Sequence, residues 1–177
     1  MKPNESDYKI YQVDAFTNTL FKGNPACVVP LKKWLPDELL LKIAKENAVA
    51  ETAYFIEHKD YFHLRWFTPD IEMDLCGHAT LATAHIIKSE LDSSDEIKFK
   101  TLSGDLSVQC KEELYYLNLP SRKPINAKLP NEIKLALNIQ PNFILKSRDY
   151  LLVYNNEKDI KALKIDRSSF DKINLGN

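Results

Sequence analysis

Apolar residues along this chain fall into short blocks whose spacing switches between two periods. Tyr8–Phe16 and Ala26–Leu31 are rich in β-branched and aromatic residues and predict strands. The turn residues Gly23-Asn24-Pro25 lie between them. Pro36–Asn47 repeats at helical spacing instead, with Leu39, Leu40, Ile43 and Ala44 as its inward stripe. Strands follow at Glu51–His58 and Tyr61–Phe67, then a loop at Thr68–Cys76, then a helix over Gly77–Leu91. Ile97–Leu102, Leu106–Lys111 and Leu114–Leu119 predict a meander whose first turn is Ser103-Gly104-Asp105. Pro120, Pro124 and Pro130 punctuate a polar stretch, so 120–130 is expected to be a linker between a first domain, 1–119, and a partial second domain, 131–177. In that second part a short helix over Asn131–Leu137, strands at Phe143–Lys146 and Tyr150–Tyr154, and a helical stretch near Asp159–Leu163 are expected.

Two places break the pattern in a way that suggests chemistry. Glu51 sits in Ala48-Val49-Ala50-Glu51-Thr52-Ala53-Tyr54-Phe55-Ile56, on the side of the strand shared with Ala53 and Phe55. A Glu is seldom buried without a partner, and apolar surroundings disfavour the carboxylate anion. Glu51 is therefore either a general acid or base or a carboxylate at the strand's wet entrance. The second place is Cys76-Gly77-His78, which opens a helix carrying no charged residue through Ile87. A helix apolar on every side is a buried helix. Its first-turn N–H groups favour a bound carboxylate or phosphate, Gly77 would let such a group approach the backbone, and His78 adds a side-chain donor. Only four glycines occur where average usage would give roughly a dozen, so each is expected to serve a local need.

Six segments, taken together, resemble the PhzF (phenazine biosynthesis-like) family. They are Val13-Asp14-Ala15-Phe16, Gly23-Asn24-Pro25-Ala26, Ala50-Glu51-Thr52-Ala53-Tyr54, Arg65-Trp66-Phe67-Thr68-Pro69, Leu75-Cys76-Gly77-His78-Ala79-Thr80-Leu81-Ala82 and Thr101-Leu102-Ser103-Gly104-Asp105-Leu106. The resemblance is close over residues 8 to about 120 and loose beyond. It implies an α+β fold like that of diaminopimelate epimerase: a bent, mostly antiparallel sheet wrapped around a central helix, here 77–91, with an incomplete second domain of the same type. It implies a cofactor-independent isomerase or epimerase of a small carboxylate-bearing metabolite. Glu51 would move the proton, and Gly77, His78 and Cys76 would hold the acid with Asn24 nearby. In the related epimerases a thiol at the place of Cys76 is itself an acid/base group; here it is either that or a small buried residue. An Asp-Pro-x-Thr-Gly-Ser-Ala-like segment that completes the family's site does not occur in these 177 residues, and a two-domain member would run roughly 100 residues longer. The resemblance therefore also implies an alternative: an inactive, truncated relative that binds a small acid or serves as a dimerising scaffold.

Composition narrows the remaining classes. With 44% hydrophobic residues the chain can bury about 70% of its unfolded surface, as a globular protein does. A formal net charge of −1 gives no footprint for nucleic acid or an anionic membrane. No apolar run approaches the roughly 18 residues a membrane span needs, and the start, Met1 to Asp7, is too polar for a secretory leader. Cys27, Cys76 and Cys110 are odd in number and lack metal-ligand spacing, so no metal is expected and a reducing cytoplasm is. Exposed strands would allow a homodimer.

Overall fold

The computed structural model describes residues 8–91 and 94–173; the polar start over 1–7 lies outside them. The chain divides into two compact units, 1–120 and 121–177.

The first unit is built on one mixed sheet. Its strands are β1 (Tyr11–Ala15), β2 (Asn24–Leu31), β3 (Glu51–Glu57), β4 (Phe62–Phe67), β5 (Glu72–Met73), β6 (Glu96–Thr101), β7 (Gly104–Lys111) and β8 (Leu114–Asn118). They lie in the order β1-β2-β3-β4-β6-β7-β8, with β5 folded back on β4. Neighbours are antiparallel except β2 with β3 and β4 with β6, which are joined through the two long helices, α1 (Asp37–Asn47) and α2 (Gly77–Glu90). Helix α2 packs against β1, β2, β3, β6 and β8. Because β1 and β8 are opposite edges of the sheet, reaching one helix from both requires the sheet to curl around it. This is the expected α+β arrangement of a bent, mostly antiparallel sheet on a central helix.

The reason α2 can sit there is in its side chains. His78, Ala79, Thr80, Ala82, Thr83, Ala84, Ile86 and Ile87 are all buried, and most are small enough to bring the strands close. Its buried hydroxyls are satisfied locally: Thr80 Oγ1 donates to the Cys76 carbonyl and Thr83 Oγ1 to that of Ala79. Ala26, Val28, Ala53, Phe55, Leu64 and Trp66 face the same core as α2. On the other face of the sheet, Val29, Leu31, Tyr54 and Phe67 pack with Leu40 and Ala44 of α1, where Tyr54 Oη donates to the Leu40 carbonyl at 2.8 Å. The parallel pair β2–β3 is therefore covered on both sides, which is why its sequence is apolar without alternation. Leu39 is not part of the inward stripe; it is 39% exposed, whereas Leu40 and Ala44 are buried and Ile43 packs partly against the same cluster.

The segment expected to be a plain loop, 68–76, contains β5. Thr68 caps a tight reversal, its N–H bonding the Ile71 carbonyl at 2.9 Å, and this lays Glu72 beside Phe67. Glu72 then grips Arg65 with two hydrogen bonds of 2.7 Å, and Asp37 takes the same guanidinium at 3.0 Å. Gly23 has a structural duty: a Cβ there would stand 2.5 Å from the Ala15 carbonyl oxygen.

His63 on β4 supplies a pH response. Trp34 Nε1–H donates to His63 Nδ1 at 3.2 Å, which requires that nitrogen to be unprotonated. Burial holds the imidazole below its ordinary pKa, reinforced by His58 and Arg65 and opposed by Glu72. The folded state thus disfavours the proton that the unfolded chain accepts near pH 6.5, so this contribution is present above that value and fades as pH falls below it. Urea midpoints should drop between about pH 7.5 and about pH 5.5, and less steeply in His63→Gln.

The second unit holds an antiparallel sheet of β9 (Ile125–Asn126), β10 (Phe143–Lys146) and β11 (Tyr150–Val153), in the order β11-β10-β9. Three short helices accompany it: α3 (Asn131–Ala136), α4 (Glu157–Ala162) and α5 (Arg167–Phe170). Its interior is small, with Ile133, Ala136 and Leu137 buried, and Tyr154 Oη anchored on the Ile139 carbonyl at 3.0 Å. The stretch read as a linker includes β9, whose two residues pair with Leu145 and Lys146. Helix α5 was not expected, yet its signal was present: Asp166 Oδ1 caps the Ser168 N–H at 3.0 Å. Among the described residues no helix is long and apolar enough to cross a membrane.

Candidate active site

The Ala26–Glu51 pairing of β2 with β3 sets the carboxylate at the start of β3, on the face that looks toward α2. Glu51 is the strand's first residue rather than an interior one, yet its side chain is only 16% exposed. Cys76 is the N-cap of α2 in an extended conformation, and its side chain makes no capping hydrogen bond. That backbone turn points both Cys76 and His78 back at β3. Glu51 Oε2 lies 3.2 Å from His78 Nε2, and Cys76 Sγ lies 3.5 Å from His78 Nδ1. The imidazole thus stands between a carboxyl and a thiol.

The carboxyl–imidazole contact is close but not aligned as a hydrogen bond. Glu51 Oε2 and His78 Nε2 are both shielded from solvent and both lack a hydrogen-bond partner among the described residues. Polar atoms left so are uncommon and costly, and they gather where a ligand is to be met. Burial pushes the Cys76 thiol up to about 12; the N–H groups of Ala79 and His78 pull it down, and the Glu51 charge adds to the rise. Cys76 Sγ and His78 Nδ1 lie within hydrogen-bonding reach, and the ring's tautomer sets which of them donates. Cys76 itself is buried.

Gly77 has no internal reason to be glycine. A Cβ there would meet Leu117 and Leu119 at an ordinary 3.8 Å, and its φ is not positive. Asn24 opens β2 two residues before Ala26, on the same face as Glu51 by alternation, and is exposed. Sequence reasoning overlooked Trp66, whose buried Nε1–H also has no partner among the described residues. Nothing in local spacing marks it, since an indole in a strand reads as core. Two surface clefts lie elsewhere, one lined along 57–62 and 96–98 and one along 11–14 and 17–20, and neither contains these orphaned atoms.

The family model for phenazine biosynthesis-like protein (PhzC-PhzF) matches residues 13–159. The chain belongs to that family. It is 46% identical over 158 residues to an uncharacterised isomerase of Pseudomonas aeruginosa, covering 89% of this chain and 61% of the relative. A second uncharacterised isomerase, from Halalkalibacterium halodurans, is 41% identical over 168 residues, covering 93% and 63%. The chain therefore spans about three fifths of the length of these curated relatives. A crystal structure of a PhzF-family phenazine biosynthesis protein from Enterococcus faecalis superposes with a TM-score of 0.85 at 39% identity, covering 96% of this chain and 65% of that one. All of the six segments quoted above fall within the matched span of this PhzF-family chain.

Proposed function

We propose that this chain carries the proton-transferring lobe of an isomerase or epimerase for a small carboxylate-bearing metabolite. The observation that carries the reading is the pair of buried atoms, Glu51 Oε2 and His78 Nε2, 3.2 Å apart and each without a hydrogen-bond partner among the described residues. Glu51 as carboxylate takes a proton from a carbon alpha or vinylogous to the substrate's acid group. The electron pair left behind spreads into that carboxylate, where His78 Nε2–H and the Gly77 N–H stabilise the growing charge. Glu51, now protonated, returns the proton to another carbon or to the opposite face, so atoms and electrons balance without an oxidant. The two relatives named isomerases support this class of reaction. The three free thiols suit a reducing cytoplasm.

The acid-binding half is testable on this chain alone. Titration with acetate and with small unsaturated or amino carboxylates should move the His78 ring resonances saturably in the millimolar range. Unmoved resonances with α2 intact would overturn the assignment of His78 and Gly77.

A further inference from the structure

We propose that Glu51, Cys76 and His78 form a high-affinity site for a zinc ion, and that zinc there switches the proton-transfer site off. One ligand atom from each of the three lies within 4.8 Å of the others. The side chains come from two elements, the start of β3 and the N-terminal turn of α2, that are locked to one core. The donor set is one sulfur, one imidazole nitrogen and one carboxylate oxygen. Calcium and magnesium want oxygen ligands; a thiolate with an imidazole selects a borderline-soft ion such as zinc.

The distances fit with rotation of side chains and no movement of backbone. Zinc–ligand bonds of about 2.0–2.3 Å in tetrahedral array set ligand atoms about 3.5 Å apart. Cys76 Sγ and His78 Nδ1 are 3.5 Å apart, the separation of two ligands on one zinc ion, and a turn of the imidazole that takes its lone pair off the sulfur lets the two chelate. The remaining donor belongs to Glu51, whose side-chain torsions can bring an oxygen from the Nε2 side of the ring to the Nδ1 side. A second observation is that Glu51 Oε2, the oxygen asked to move, is shielded from solvent and has no hydrogen-bond partner among the described residues, and that it lies against His78, which is only 9% exposed. Three protein ligands leave a fourth position open, as in zinc sites that accept an exchangeable group. Binding would displace the thiol proton and occupy the carboxylate lone pair, so uptake should release a proton and grow stronger with rising pH.

The inhibitory consequence rests on the reading of Glu51 as the proton-transfer group, whereas zinc uptake does not, so the two fail separately. The experiment is calorimetric titration of this chain with zinc chloride in chelator-free, thiol-free reductant, with cobalt chloride as the spectroscopic probe. One equivalent should bind, and cobalt should give a thiolate charge-transfer band in the near ultraviolet. Cys76→Ser should weaken zinc by about a hundredfold or more, since even outer partners of a metal site are worth about 10–100-fold. Cys27→Ala and Cys110→Ala should bind as wild type. An absence of zinc uptake by the folded wild-type chain, or an undiminished cobalt band in Cys76→Ser, would overturn the site. Should Cys76→Ser not fold, the wild-type His78 ring resonances decide: they must move with zinc, and unmoved resonances overturn the proposal. Zinc uptake without loss of proton exchange would leave the site standing and overturn the switch.

Discussion

Glu51→Gln is expected to lower the exchange of substrate carbon-bound hydrogen with solvent by about 10²–10⁴-fold, the usual worth of a positioned acid/base group. Gln keeps the length and the hydrogen-bonding end of the side chain, and Glu51 is packed rather than charged into place, so the fold and the affinity for carboxylates should change little. The measurement is deuterium incorporation in heavy water, by mass spectrometry, across a panel of small unsaturated and amino carboxylates. The variant's rate is set against that of the wild-type chain. Exchange at the wild-type rate in Glu51→Gln would remove the residue from the mechanism, and the orphaned Oε2 would then need another explanation.

The second large effect concerns Trp66, which is fully buried between the sheet and α2. Trp66→Ala should destabilise by about 3–5 kcal/mol, combining lost transfer energy with a cavity that the surrounding Ala and Phe residues cannot refill. For a domain whose whole stability is about 5–15 kcal/mol, that is enough to leave a measurable unfolded fraction at 37 °C. Trp66→Phe should cost markedly less, because the indole N–H has no hydrogen-bond partner among the described residues. Chemical denaturation of both variants checks the pair. Equal losses would mean that the N–H is bonded after all, through a group such as a bound water.

Much of this architecture is legible in the sequence because it follows from long, unambiguous patterns. The uncharged run through Ile87 predicts a buried helix, and the apolar blocks of β2 and β3 predict strands, with β3 covered on both faces. What escaped is two residues long or set by tertiary contact. Neither β5 nor β9 has room to show a period of two, and Leu39 obeys helical spacing while lying off the line that meets the sheet. The site divides in the same way. Glu51 and His78 stood out by type and setting, but their 3.2 Å approach depends on the parallel register of β2 with β3 and on how α2 seats beneath them. Cys76 and His78 lack any spacing associated with metals, so a shared donor cluster could not be read from the chain order.

Helix α2 also constrains how the protein can be made. Apart from the side that carries His85, Lys88 and Ser89 it is buried, yet the strands that cover it run from Tyr11 to Asn118, so a ribosome releases the helix well before β8, the last of its walls, exists. During that interval its apolar surface is open to other chains and to chaperones. The first unit is therefore expected to depend on the speed of translation over residues 91–118. Synonymous changes that slow that stretch should lower soluble yield while leaving the finished protein unaltered.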